Sequence, residues 1–328
     1  MKNFQVLLVI LMVIGFISGC TSGGELIEPD EPESIPEEEE PNPYPEIQAV
    51  LLSEPPCGGD QAVRREAILS LNEFLKDEAS IWDEDLAAFY ADMMEKVASE
   101  IQEPVQSGVR IWSMYNHGFI VKTPSTVFAF DLVNGYSGWD YELPGEILKQ
   151  IQVLFISHNH GDHQEYSITR GILDLGGEVV APIENKSVAF DMIYLSPDEE
   201  VDVAGLHVKA YDGLHGNQAN RIYYVTTPEG LTIMHTGDNQ TSDTLPEGVT
   251  VDILLINAWV NESGSASPEI GLGNSIKKLT PKLTIPGHIQ ELGHAFDPAS
   301  VFSRLPFEPP LAVAEMPLSG QVSVQFWG

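Results

Sequence analysis

The sequence predicts an α/β fold: a large domain of alternating strands and helices, preceded by a helical hairpin. Three observations predict it. Apolar residues recur at helical spacing from Asp60 to about Ile101, then at period two from Gly108 onward. Beyond Gly108, strand-like and helix-like runs alternate in two roughly similar halves. Strand-like runs in both halves end in histidine and aspartate: His158, His160, Asp162 and His163 in the first, Asp238 and His288 in the second.

The N-terminus stands apart from that domain. Lys2 precedes an apolar run from Phe4 to Ile17, short for a bilayer span and placed like the h-region of a signal peptide. Ile17-Ser18-Gly19-Cys20 resembles the bacterial lipobox, which implies Cys20 as a lipidated first residue of the mature chain. An ordinary signal peptide with a chance cysteine is the plain alternative. The expectation is a protein exported and anchored by Cys20 to the extracytoplasmic face of the cell membrane, with 1–20 as its signal peptide. Cys57 is then the one cysteine left, so a disulfide framework is not expected even in an oxidising compartment.

The formal net charge is −33, and ten acids fall between Glu25 and Glu46 with no Lys or Arg among them. Such a proline-rich stretch buries too little apolar surface to offset its ordering entropy, so 21–57 is expected to be an extended, disordered tether. The remaining chain is acidic too. Its field repels phosphate backbones and argues against nucleic acid as a partner, although adaptation to salt explains the acidity equally well.

The hairpin is expected at 58–106 and the main domain at 107–328. Val63, Ala67, Ile68, Leu71, Phe74 and Leu75 make one apolar stripe over Asp60 to Lys76. Asp83 would cap a second helix to about Ile101, with Leu86, Phe89, Tyr90, Met93, Val97 and Ile101 inward. Strands follow at Val109–Met114, Gly118–Lys122 and Thr126–Asp131. After the run from Ile151 to Ile156, the helix-like segment is Gln164 to Leu175. Glu178–Pro182 reads as a strand, Asn185 to Ile193 as a helix, and Val201–Val203 and Leu206–Tyr211 as strands. Arg221–Thr226 and Leu231–His235 form a hairpin about Pro228-Glu229-Gly230. Asp252–Ala258 is a buried strand, Ile270–Leu279 a helix, and Leu283–His288 a strand, while Val322–Trp327 adds an edge strand.

The segment between strand and helix carries the chemistry. His158-Asn159-His160-Gly161-Asp162-His163 gathers borderline nitrogen and hard oxygen donors on a loop that Gly161 lets curl, so that they can converge on a cation. The bland alternative is a polar loop with its histidines in solvent.

That string resembles the His-x-His-x-Asp-His signature of the metallo-β-lactamase superfamily, and the resemblance extends over about Val109 to His288. It implies an αββα four-layer sandwich, two sheets face to face with helices outside and the ligands at one common edge. It also implies His215 as the third nitrogen ligand, beside His158 and His160. His207, within a strand pattern, faces solvent. The resemblance further implies a second site of Asp162, His163 and His288, with Asp238 between the metals. His235 is left out, because three residues along a strand its side chain faces away from that of Asp238. Asp131 would brace the metal loop. His117, in Asn116-His117-Gly118, matches a histidine of the ascorbate-6-phosphate lactonase-like and phospholipase-D-like branch, or is a turn histidine. His294 lines the pocket mouth or is a surface histidine.

The cofactor expectation is Zn²⁺, two per chain, with Mn²⁺ or Fe²⁺ as alternatives. Nitrogen at His160 favours zinc, where the oxygen-reducing relatives carry Glu. No cysteine lies near Asp162 or Asp238, so β-lactam hydrolysis is not expected. The resemblance implies a hydrolase that ionises a water between two cations to cleave an ester, lactone or phosphoester in a small-molecule substrate, with Asp162 as its proton-transfer group. The rival from another class is a lipoprotein that binds metal or a ligand without turnover. Nothing in the chain speaks to its oligomeric state.

Overall fold

The structure, a computed structural model, describes residues 44–54, 62–64, 66–67, 70, 84–135, 142–187, 189–257, 268–288, 316–318 and 320–325. The expectations for Cys20, Cys57, Asp83, His294 and most of Asp60 to Lys76 lie outside these residues.

Two sheets form the centre. One has the strand order β13-β14-β1-β2-β3-β4-β5-β6 and the other β12-β11-β10-β9-β8-β7. In the first, β1 (Val109–Ser113), β2 (Phe119–Lys122) and β3 (Val127–Phe130) form an antiparallel meander. β4 (Val153–Phe155), β5 (Glu178–Pro182) and β6 (Ile193–Leu195) continue it in parallel. In the second, β7 (Glu200–Val203), β8 (Leu206–His215), β9 (Gln218–Thr226) and β10 (Thr232–His235) are antiparallel neighbours. β11 (Ile253–Asn257) and β12 (Leu283–Gly287) add to β10 in parallel.

Residue alternation builds the layers. Phe128, Phe130, Val153 and Phe155 pack between the sheets against Val208, Tyr223, Ile233, Leu255 and Ile285. Ala129 and Leu154, pointing the other way, join the helical layer. Both faces of these strands are buried, which is why they read as continuous apolar runs rather than as alternation. The first sheet is covered by α2 (Glu84–Glu100), the single turn α3 (Gly145–Leu148) and α4 (Tyr166–Asp174). Ile276 and Leu279 of α5 (Pro268–Leu279) cover the second, on Ile222, Met234, Leu254 and Ile256. The architecture is the αββα sandwich. Among the described residues no helix is long and apolar enough to cross a membrane.

Four expectations need correction. The span assigned to a tether contains a helix, α1 (Tyr44–Ser53). Tyr44, Ile47 and Leu51 share one face and are buried; Tyr44 lies 6.1 Å from the Phe89 ring of α2, and Arg64 donates to the Leu51 carbonyl at 3.0 Å. This tertiary contact outweighs the acid-rich composition upstream.

Among the described residues no helix spans Asn185 to Ile193. A 3₁₀ turn (Ile183–Asn185) leads instead to a loop and to β6. The Ser187 hydroxyl accepts the Ala189 N–H at 3.1 Å and Tyr194 Oη accepts the Ser187 N–H at 3.0 Å, bonds that compete with a helical ladder. Phe190 stacks on Tyr166, with ring centroids 5.4 Å apart.

β8 runs on to His215 instead of stopping at Tyr211, so that histidine sits on a strand and not just past one. The C-terminal strand β14 (Gly320–Gln325) is not an edge strand. It pairs in parallel with β1 and antiparallel with β13 (Met316–Leu318), which takes the edge.

Candidate metal centre

Chain direction decides where the chemistry collects. β3 and β4 run parallel, as do β10, β11 and β12, and all five finish at one end of the sandwich. The residues that follow them are Asp131, Ser157 with His158, Thr236 to Asp238, and His288. Carboxyl ends of parallel strands are where α/β sheets gather their ligands.

Two groups of donors form there. His158, His160, His215 and Asp238 are one; Asp162, His163 and His288 are the other. Within each group the donor atoms lie within 4.8 Å of one another. Asp238 touches both. Its Oδ2 is 3.7 Å from His158 Nε2, 3.8 Å from His215 Nε2 and 3.4 Å from His163 Nε2, while Oδ1 is 3.0 Å from His288 Nε2. The His160 and His215 rings meet edge-on, with His160 Nδ1 3.3 Å from His215 Nε2.

These residues fit a divalent cation. His158 is fully buried, yet its Nε2 has no hydrogen-bond partner, a state that costs free energy unless something else takes the lone pair. Borderline nitrogens with hard carboxylate oxygens form a donor set for zinc, iron or manganese.

A polar frame fixes the donors. Asp131, completely buried, accepts the Ser157 N–H at 2.7 Å, the Ser157 hydroxyl at 2.5 Å and the His163 Nδ1–H at 2.8 Å. Its backbone sits at φ 46°, in the left-handed region that Asp tolerates better than most residues. Asn220 accepts the Asp238 N–H at 3.0 Å and donates to the Thr236 carbonyl at 3.0 Å. His288, at φ 60°, donates its N–H to the Asn116 carbonyl at 3.0 Å.

The electrostatics follow from burial and pairing. Burial opposes ionisation of Asp238, but the neighbouring His163 and His288 outweigh it and hold the carboxyl far below its usual range. Burial likewise works against a charged His163, and the Asp238 and Asp131 carboxylates overcome it and raise that ring. Asp131 is lowered overall, its burial outweighed chiefly by the hydrogen bond from His163. At His158 the pull of the same two carboxylates is too weak, and burial together with the neighbouring His163 takes the ring down to about 3.

His117 and His235 lie beneath the ligands, not among them. Both are fully buried, with ring centroids 4.3 Å apart; His235 Nε2–H donates to the His117 carbonyl at 3.1 Å, and Phe130 stacks on the His235 ring at 4.7 Å. His207 is exposed and paired with Asp202. The sequence reading passed over Asn220, Ser157 and the side chain of Asn116. Asparagines and serines carry no periodic signal, and these pair with residues distant in the chain.

A family model described as the β-lactamase superfamily domain matches residues 116–288. Among solved structures, similarity is found to CmlA, a diiron β-hydroxylase from Streptomyces venezuelae, at 16% identity over 59% of this chain and 48% of that one, with a TM-score of 0.45. Igni18, a metallo hydrolase from the archaeon Ignicoccus hospitalis, shares 14% identity over 60% of this chain and 89% of its own, at a TM-score of 0.47. The metallo-β-lactamase fold protein YhfI from Bacillus subtilis shares 13% over 56% and 82%, at 0.41. The match to CmlA spans about half of that protein's length. Comparison with curated proteins gives no match. The family match takes in more than half of the 328 residues and every candidate ligand from His158 to His288, so the chain belongs to the metallo-β-lactamase superfamily of metal-dependent hydrolases.

Proposed function

We propose that this protein is a zinc hydrolase that cleaves an ester, lactone or phosphoester in a small-molecule substrate, and that it works from the outer face of the cytoplasmic membrane, held there by lipid on Cys20. The observation that carries the hydrolytic reading is Asp238: one carboxylate within 3.8 Å of ring nitrogens from both donor groups. Imidazole at His160 supports zinc. When bound, two such cations supply Lewis acidity and bring a water towards a pKa of about 7.

The chain's own residues do the rest. His158, His160 and His215 would hold one cation, Asp162, His163 and His288 the other, and Asp238 both. Asp131 fixes the tautomer of His163 so that Nε2 faces the site, and Asn220 sets the backbone of Asp238. Asp162 is the group placed to take up and return a proton, since its side chain keeps 40% exposure while the other carboxylates of the centre are almost covered. The Asn116-His117-Gly118 opening and the lack of a cysteine near Asp162 or Asp238 in the sequence favour the lactonase and phospholipase-D-like branch over β-lactam hydrolysis.

The test measures bound zinc and hydrolysis of generic lactone and phosphodiester substrates in wild type and His160→Ala. Loss of zinc together with turnover is expected; unchanged metal content in the variant overturns the assignment. Anchoring is read separately, as release of Cys20→Ala from the membrane fraction.

A further inference from the structure

Asn116 stands against the second donor group in a way its sequence position does not announce. It follows β1, it is 4% exposed, and its backbone is left-handed at φ 56°. Its Nδ2 lies 3.1 Å from Asp162 Oδ2, 3.4 Å from His163 Nε2 and 3.3 Å from His288 Nε2. Those three atoms are themselves 3.1 Å (His163 to His288), 3.5 Å (His163 to Asp162) and 3.9 Å (His288 to Asp162) apart.

The four atoms thus make a tetrahedron with edges of 3.1–3.9 Å. Four donors around a zinc at bonds of about 2.0–2.1 Å would have edges of roughly 3.3–3.4 Å. The side chain of Asn116 therefore closes a polyhedron of the size a small divalent cation requires.

Amide chemistry says which end belongs at that vertex. An NH₂ group has two hydrogens, and the Asp162 carbonyl and carboxylate, each at 3.1 Å, accept both, so it has none left for the two ring nitrogens at 3.3 and 3.4 Å. The Oδ1 of the same amide is buried with no hydrogen-bond partner. A half-turn about the Cβ–Cγ bond exchanges the two ends without changing the shape of the side chain. With no cation, the carbonyl oxygen would be repelled by Asp162 and the NH₂ stays inward. With a cation between them, the oxygen becomes a ligand and that repulsion is removed.

Resting on the metal-hydrolase reading above, we propose that the Asn116 side-chain carbonyl is a ligand of the second cation, completing the Asp162, His163 and His288 set. Asp238 reaches the same two histidines at 3.4 and 3.0 Å, so protein donors would crowd this position more than the group of His158, His160 and His215. The substrate would then be met chiefly at that less crowded group. A further oxygen donor beside the Asp162 and Asp238 carboxylates would also harden the site, widening its tolerance towards Mn²⁺.

The test is calorimetric titration of metal-free protein with zinc, for wild type, Asn116→Gly and Asn116→Asp. Glycine accepts the positive φ, so it deletes the side chain without backbone strain. Aspartate keeps an oxygen at the vertex and abolishes the N–H donor. Two zinc-binding events are expected in wild type; Asn116→Gly weakens one of them by roughly 10–100-fold, and Asn116→Asp retains both. Unchanged affinities in Asn116→Gly overturn the inference, as does equal loss in both variants, which would make Asn116 only a hydrogen-bond donor to Asp162. A wild type that takes one zinc, unaffected by Asn116→Gly, also overturns it while leaving the proposed function standing. A wild type that binds no zinc removes both.

Discussion

The Asp131 carboxylate accepts the Nδ1–H of His163 at 2.8 Å, and by doing so it turns the other ring nitrogen towards Asp238. The pair joins the end of β3 to the metal loop, and both residues are fully buried. Asp131→Asn keeps the shape but places an NH₂ where Ser157 and His163 both offer hydrogens. The expected result is a zinc affinity weakened about 10–100-fold, with His163 in the wrong tautomer. Competition with a chromophoric chelator reads it directly, and an unchanged affinity would deny Asp131 its orienting role.

Gly287 ends β12 where the buried His117 ring lies over it. A Cβ at this position would overlap His117 Nδ1 and reach within 2.6 Å of Cε1, in a ring that is fully buried. Gly287→Ala should cost about 1–3 kcal/mol, the usual range for overpacking, and displace His288 through the adjacent backbone. Thermal melting with metal removed separates the packing loss from any change in metal binding.

Removal of metal should lower stability, because the donors then crowd one another without a shared cation. A ligand that binds the native state alone at a hundredfold excess over its dissociation constant adds about 2.7 kcal/mol. For a domain of this size that corresponds to a melting temperature lowered by roughly 5–10 °C on adding chelator. His158→Ala and His160→Ala should show a smaller zinc-dependent rise in melting temperature than wild type, keeping only what the group of Asp162, His163 and His288 supplies.

Asp252 supplies the pH dependence away from the metal centre. It precedes β11 and ties β10 to the strand entering β12, accepting the Thr232 N–H at 2.8 Å and the Thr232 hydroxyl at 2.9 Å and pairing with Lys282 at 2.6 Å. Burial opposes its charge, but the Lys282 and Thr232 bonds prevail and lower its pKa. A carboxyl depressed in the folded state contributes stability that is complete above its unfolded value of about 3.9 and is lost as pH falls through the folded value. The melting temperature of Asp252→Asn should therefore lie below that of wild type at pH 7 and converge on it as the pH drops below about 4. A constant gap across that range would contradict the assignment.

Much of the centre could be read along the chain because its donors sit at two kinds of marked place. Four of them fall within six residues of one loop, Asp238 comes three residues after the strand that ends at His235, and His288 directly follows the strand that ends at Gly287. The sandwich was legible for a related reason: strands buried on both faces are continuous apolar runs, which stand out against their turns. What escaped was non-local. The helix α1 depends on a face that meets α2 and Arg64, and its neighbours upstream are almost all acids and prolines. The inner place of β14 depends on parallel pairing with β1, more than 200 positions away. Asn185 to Ile193 has helical spacing, which the Ser187 and Tyr194 hydroxyls and the Phe190 stack override. Asn116 and Asn220 reach across 46 and 18 positions to Asp162 and Asp238, distances at which a single sequence offers no pattern.

The central claim is that two cations share Asp238 at the common edge of the sheets. Anomalous scattering at the zinc edge from a zinc-soaked crystal tests it most directly. The account predicts two peaks, one enclosed by His158, His160, His215 and Asp238 and the other by Asp162, His163, His288 and Asp238. Zinc bound elsewhere on the acidic surface, with no density between these side chains, would contradict it.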